Sequence, residues 1–386
     1  MRVPEERLVD ILRPDNANAP PNPVDRATEH LKSNEPFLHK IHDANRLCIV
    51  LGSCGGKQLT TDLTRAVLQF MNNPQESTTI VCTEECADLD LTALGGIRVL
   101  RHTMKSETTD CPTSKDGFAL QLNSEFVKAD IRVLIGELRP HPFLGYSGLC
   151  DLVFPYLASE ASMSALRTQR TGATTDDLHK ERLEIAKSFD NLFSLGLGLD
   201  AELRVSSIVF DALEASLTSL EPQVTETYSK QVTKRAEIVV MSAGGAPFDS
   251  TLAQSIESFP AGLEALKKDG ALIVAAECEQ GHGGHQFYEW STERKEPRYL
   301  EARLRHHFNY DGFKAAFLGR IVQTHRVYLV STIPDHYIED VFNMKPATTV
   351  NAALQSAQRV HGSDSTISII PNASRVTPKI LEAPKQ

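Results

Sequence analysis

Apolar positions along this chain fall into short continuous runs separated by segments with helical spacing. In the first half the runs are residues 46–52 (RLCIVLG), 78–83, 97–100 and 131–136; in the second they are 238–245 (IVVMSAGG), 271–278 (ALIVAAEC), 326–333 and 366–370. A continuous rather than alternating apolar run marks a strand buried on both faces, as in a parallel sheet covered by helices. Between the runs, Leu63, Val67, Leu68 and Met71 keep helical spacing, with Thr60, Thr61 or Asp62 available as a cap. Residues 24–34, 123–129 and 348–360 predict further helices. Residues 159–195 read as helical and charged, 203–220 as a strand and a helix, and 249–268 as helical material broken near Pro260. Strands alternating with helices predict an α/β protein with mostly parallel sheets and right-handed crossovers.

A chain of 386 residues exceeds one ordinary core, so two α/β domains with a cleft between them are expected. The polar stretch 221–235, which contains Pro222, places the boundary: a first domain over 1–232 and a second over 233–345. The tail, 346–386, is expected to return to the first domain. Residues 1–45 read as an irregular lead-in.

Composition narrows the function classes. Hydrophobic residues make 41% and charged residues 23% of the chain, which is globular. Forty Lys and Arg against fifty Asp and Glu give a net charge of −10. That disfavours nucleic acid and anionic membrane as partners, and leaves room for a local pocket that takes a small anion. No run approaches the ~18 apolar residues of a membrane span. The start lacks the basic-then-apolar order of a signal peptide. Seven cysteines, an odd number without a disulfide framework, suit a reducing cytoplasm. Cys82 and Cys86 lack a second pair for a metal site and read as small buried thiols. Composition leaves a homo-oligomer open.

Candidate chemistry concentrates at strand ends, where open α/β sheets bind ligands. The run 131–136 leads into a loop, 137–146, that carries His141 between two prolines, and then into Ser147-Gly148. Arg101-His102 ends the preceding run, which makes His102 a second imidazole for the same cleft. After the first run, SCGGKQ offers Gly55, Gly56 and Lys57 ahead of a helix, a geometry that presents N–H groups to an anion. The segment matches neither phosphate-loop pattern, and a plain glycine turn is the simpler reading. His282 and His285 in GHGGH could pair on a metal but lack a third ligand at clear spacing.

Three segments together carry a resemblance: IGELRPHPFLGYSG (135–148), SAGGAPFDSTLAQSIES (242–258) and GALIVAAECEQGHG (270–283). They are similar to the nickel-pincer lactate racemase family. The resemblance implies two α/β domains around a cleft. It also implies a nickel ion held by a pyridinium-thioamide nucleotide tethered to a lysine. Racemisation of a 2-hydroxy acid would then move the C2 hydride to the cofactor and back, with two histidines as acid and base. A third histidine would ligate nickel.

Residue by residue, His141 falls on a catalytic histidine, with Tyr146, Ser147 and Gly148 in register, and Gln254 falls on a substrate-contacting glutamine. Other positions depart from the pattern. Asp151 stands where the tethering lysine belongs, and Glu257 where a substrate lysine belongs. The second catalytic histidine falls near Thr83, Glu84 and Glu85, and the nickel ligand near Arg167. The Asp62–Arg65 segment imitates the family's D-x-T-R but lies too late, inside the predicted helix.

Two expectations follow. One is a divergent racemase or epimerase of a 2-hydroxy acid or polyol. In it His141 and His102 are acid and base, Gln254, Tyr146 and Ser147 contact substrate, Lys57 with Gly55 and Gly56 contact a cofactor of unspecified identity, and no metal-ligand set is assigned. The other is a ligand-binding or regulatory paralogue that keeps the cleft and has lost the tethered cofactor.

Overall fold

The computed structural model describes residues 3–14, 22–71, 74–82, 86, 94–111, 119–163, 175–200, 202–293 and 296–380. Among these, two six-stranded sheets carry the fold. The first runs Val205–Ala212, Leu192–Leu199, Ile131–Glu137, Leu47–Leu51, Thr78–Cys82, Arg98–Arg101, and only its first pair is antiparallel. The second runs Leu8–Ile11, Ile367–Ile370, Ala236–Ser242, Leu266–Ala275, Arg326–Val330, Lys345–Pro346, parallel throughout.

The central strands are apolar on both faces because both faces are covered. In Ile131–Glu137, Ile131, Val133 and Ile135 join one core cluster and Leu134 the other. In Ala236–Ser242, Val239 and Met241 face one cluster while Ile238 and Val240 face another. This two-sided burial is what the uninterrupted apolar runs encode.

Several expectations are corrected. The stretch 159–195, read as helical, contains a helix at Thr175–Lys187 but continues as the strand Leu192–Leu199. Its Gly196 and Gly198 have a packing role: a Cβ there would meet Leu220 at 2.8 Å and Val224 at 2.8 Å on the covering helix. The helix Leu213–Tyr228 runs straight through Pro222, inside the segment where the boundary was placed. The helix expected to be capped at Thr60–Asp62 starts earlier, at Lys57. Thr60, Thr61 and Thr64 instead donate their hydroxyls to carbonyls four residues back. The irregular lead-in holds a strand, Leu8–Ile11.

The tail is the main correction. Its strand, Ile367–Ile370, does not join the first domain but pairs inside the second sheet, between Leu8–Ile11 and Ala236–Ser242. Its helix, Val350–His361, buries Ala353, Leu354 and Ala357 on that same sheet. Only the residues after the strand return to the first domain: Arg375 forms a buried ion pair with Glu137 and hydrogen-bonds Tyr228 at 2.9 Å.

Candidate functional site

Topology places a crevice before any side chain is considered. In the first sheet the chain goes from Leu47–Leu51 outward to Thr78–Cys82 and Arg98–Arg101, then returns to Ile131–Glu137 on the other side. The second sheet does the same around Ala236–Ser242, with Ile367–Ile370 returning beside it. Each sheet therefore has a switch point, where the loops leaving adjacent strands diverge and open a ligand crevice. The two switch points face each other. A cavity of about 300 Å³ is walled by Gly52, Ser53, Gly55 and Glu137 from one and by Gly244, Phe248 and Asn372 from the other.

The loop after Ile131–Glu137 is a short hairpin in which Arg139–His141 pairs antiparallel with Gly145–Ser147. Gly148 closes it at φ +125, where a Cβ would lie 1.9 Å from the Glu137 carbonyl oxygen. Only glycine fits that turn. The hairpin delivers Arg139, His141 and Ser147 to the cleft. Arg139 and Ser147 border both the first cavity and a second of about 320 Å³, while His141 lines the second and a third of about 440 Å³.

His141 is buried, and both of its ring nitrogens are engaged. Nδ1 accepts from the backbone N–H groups of Phe143 and Leu144, each at 3.2 Å. Two donors at Nδ1 require the ring proton on Nε2, which donates to Glu257 at 3.1 Å across the cleft. Glu257 also accepts from Lys314 Nζ at 2.6 Å and from the Tyr310 hydroxyl at 3.2 Å. Burial works against the Glu257 charge, but Lys314 and His141 more than offset it and hold the carboxyl below its ordinary range. Burial, then the neighbouring Glu257 charge, pushes the Tyr310 phenol well up.

Asp151 is also buried and paired. It makes an ion pair with Arg182, and its other oxygen accepts from Ser147 Oγ at 2.7 Å and Gly148 N at 2.8 Å. Arg182 also donates to the carbonyls of Leu144 and Tyr146 at 3.2 and 3.0 Å. This pair fixes the hairpin to the helix Thr175–Lys187.

The other candidates divide. Tyr146 lines the third cavity and hydrogen-bonds Thr225 at 2.6 Å, which anchors the hairpin's back. Gly55, with φ +81, borders the first cavity, whereas Gly56 and Lys57 are exposed outside it. Gln254 is exposed, bonded to Thr251 at 3.0 Å, and lines none of the three cavities; Glu257, one helical turn on, faces His141 instead. His102 is buried at its strand end, bonded to Asn123 at 3.0 Å and near the Ala158 carbonyl, and it too lines none of them. Asp62 and Arg65 form a surface pair at 2.6 Å. His282 stacks on Tyr288 at 4.6 Å, and His285 is exposed. Among the described residues no group of three or more His, Cys, Asp or Glu is placed to hold a metal. Thr83, Glu84, Glu85 and Arg167 lie outside the described residues.

Sequence reasoning missed Arg139, Lys314, Tyr310 and Arg375. Nothing local distinguishes Lys314 or Tyr310 on their helix. Arg139 did carry a signal, since it is the charged residue directly beside the prolines flanking His141.

Known proteins resemble this chain across both sheets. Residues 1–170 match the lactate racemase N-terminal domain, and residues 231–377 match the lactate racemase C-terminal domain. The lactate racemase of Thermoanaerobacterium thermosaccharolyticum is 32% identical over 279 residues, 68% of this chain and 65% of that protein. The lactate racemase of Lactiplantibacillus plantarum is 24% identical over 271 residues, 67% of this chain and 64% of that protein. The matched stretch thus spans just under two thirds of each relative's length. The structure of the Thermoanaerobacterium thermosaccharolyticum lactate racemase apoprotein superposes with a TM-score of 0.81 at 25% identity, covering 98% of this chain and 97% of that one. A Thermotoga maritima protein shares the fold, with a TM-score of 0.66 at 15% identity over 95% of this chain and all of that one. Among the described residues no helix is long and apolar enough to cross a membrane. With both of the family's domains matched in order and the fold shared from end to end, this chain belongs to the lactate racemase family.

Proposed function

We propose that this protein is a ligand-binding member of the lactate racemase family, which holds a small hydroxy acid or similar anion in the interdomain cleft without the tethered nickel-pincer nucleotide. One observation carries the reading. Asp151, at the position that corresponds to the tethering lysine, is a buried carboxylate satisfied by Arg182, Ser147 and Gly148. A thioamide link needs an amine, and a carboxylate locked to a guanidinium offers none. The residues present do not fit the tethered group, so no step of a mechanism is routed through it.

The state of His141 supports the same reading. An acid/base imidazole needs a nitrogen free to exchange a proton with substrate. Here Nδ1 is occupied by two backbone donors, and Nε2–H points at Glu257. The pair acts as a bridge between domains at the cleft floor. Substrate-facing Gln254 and a His102 partner are not features of this reading, because neither reaches the cavities.

The racemase or epimerase reading retains one favourable observation: His141 Nε2 lies in the cleft, and a substrate that displaced Glu257 would meet its N–H while the two backbone bonds to Nδ1 held the ring. The two readings separate experimentally. Protein purified from cells that make the pincer nucleotide is weighed intact and assayed on a panel of chiral 2-hydroxy acids. The binding reading expects the unmodified chain mass, no turnover, and a melting temperature raised by some of the acids. Covalent added mass, or inversion at C2 that His141→Ala abolishes, would reverse the assignment.

A further inference from the structure

We propose that Arg139 is the anion anchor of the cleft and that the ligand it selects is a carboxylate bearing an apolar or aryl body; this deepens, and rests on, the binding reading above. The argument starts from the charges around the first cavity. Among the described residues its two carboxylates are each consumed by an arginine, Glu137 by Arg375 and Asp151 by Arg182. Arg139 is the guanidinium on that wall left with no carboxylate partner among the described residues. It is not idle in packing: its Cζ lies 4.6 Å from the centre of the Phe248 ring, contributed by the opposite domain. A cation over a ring keeps its N–H donors for a further partner, and the planar guanidinium fork matches a carboxylate with two parallel hydrogen bonds. Asn372 adds donors on the same wall, since its Oδ1 accepts from Ser374 at 3.0 Å and its amide N–H groups remain.

Arg139 sits at the junction of two cavities, which sets the shape of the ligand. The second cavity, about 320 Å³, has apolar walls from Leu144, Phe154, Pro155, Met163, Leu178 and Phe308, and also carries the paired groups Asp151 with Arg182 and Glu257 with His141. A chamber with these apolar walls, whose other charges apart from Asp311 are paired, suits an apolar body with its anionic head on Arg139. Asp311 lines this chamber but not the first cavity, so its charge disfavours an anionic head beside it and favours one at Arg139, which borders both. A single unpaired cation also favours a monoanion over a phosphate dianion, which would need further positive charge.

The test is calorimetric titration of the full-length protein with phenylpropionate, with its neutral amide phenylpropanamide, and with lactate. The acid is expected to bind at least about tenfold tighter than the amide, and Arg139→Gln is expected to weaken the acid about tenfold or more while leaving the amide unchanged. Arg139→Lys, which keeps the charge and loses the fork, is expected to fall between, and melting temperatures without ligand confirm that each variant is folded. Acid affinity unchanged in Arg139→Gln and Arg139→Lys, or an amide as tight as the acid, would overturn the anchor. Lactate binding as tightly as phenylpropionate would overturn the apolar body and leave the small-anion reading standing. No binding by any of the three would overturn both.

Discussion

Two polar clusters cross between the domains, and they are built from similar parts. In one, Glu137 lies between Arg375 and Tyr228; in the other, Glu257 lies between Lys314, Tyr310 and His141. Each sets a carboxylate against a cation and a phenol. They differ in what surrounds them. Glu137, Arg375 and Tyr228 are all buried, and Arg375 grips both carboxylate oxygens. The Glu257 side chain is a quarter exposed and stands between cavities of about 320 and 440 Å³. A closed cluster fastens the tail to the first domain, whereas an open one can give way to a ligand. Both clusters border cavities, so neither chemistry nor adjacent empty volume separates these two sets of charges; solvent access does.

That contrast can be broken most sharply at the closed cluster. Arg375→Ala leaves Glu137 charged and buried, and is expected to lower stability by about 3–5 kcal/mol in urea denaturation. A loss below about 1 kcal/mol would mean that water already reaches Glu137. Next comes the hairpin lock. Asp151→Asn keeps an acceptor for Ser147 and Gly148 but strips Arg182 of its counter-charge, at an expected cost of about 3 kcal/mol; Arg182 keeps its carbonyl partners, which places the effect at the low end.

The open cluster should respond less and should respond to pH. Glu257→Gln is expected to cost about 1–2 kcal/mol at neutral pH. Because the folded carboxyl titrates below its ordinary value of 4.5, its contribution is complete above that pH and declines as the pH falls toward the folded value. Wild type and Glu257→Gln should therefore converge in stability on acidification below about 4.5, and parallel curves would show that Glu257 is not held ionised by its partners. The smallest effects are expected at two positions the sequence singled out. Lys57→Ala and Gln254→Ala should each stay within about 0.5 kcal/mol of wild type and leave ligand affinity unchanged. A large loss of affinity from either would move the site out of the cleft.

Much of the fold was legible because burial on two faces leaves a local mark. The runs at 46–52, 78–83, 131–136 and 238–245 mark the strands Leu47–Leu51, Thr78–Cys82, Ile131–Glu137 and Ala236–Ser242 of covered sheets, since burial on both faces favours apolar side chains at successive positions. Leu192–Leu199 was misread because its two glycines, which admit the covering helix, erase the strand-like appearance of the segment. The His141 loop could be located, since an apolar run followed by glycine, proline and histidine is a strand end with ligand chemistry.

What the sequence by itself determined is therefore most of the buried strands, the His141 loop that ends at Ser147-Gly148 and the family they belong to. Each depends on local spacing or on a backbone conformation that one residue type can adopt. Only the tertiary structure decided that the tail strand enters the second sheet, that Glu257 rather than Gln254 meets His141, and that Arg139 is left without a carboxylate where two cavities join. Those outcomes depend on which charges become neighbours after residues far apart in the chain are packed together, and Coulombic pairing over a few ångströms leaves no trace in the order of the residues.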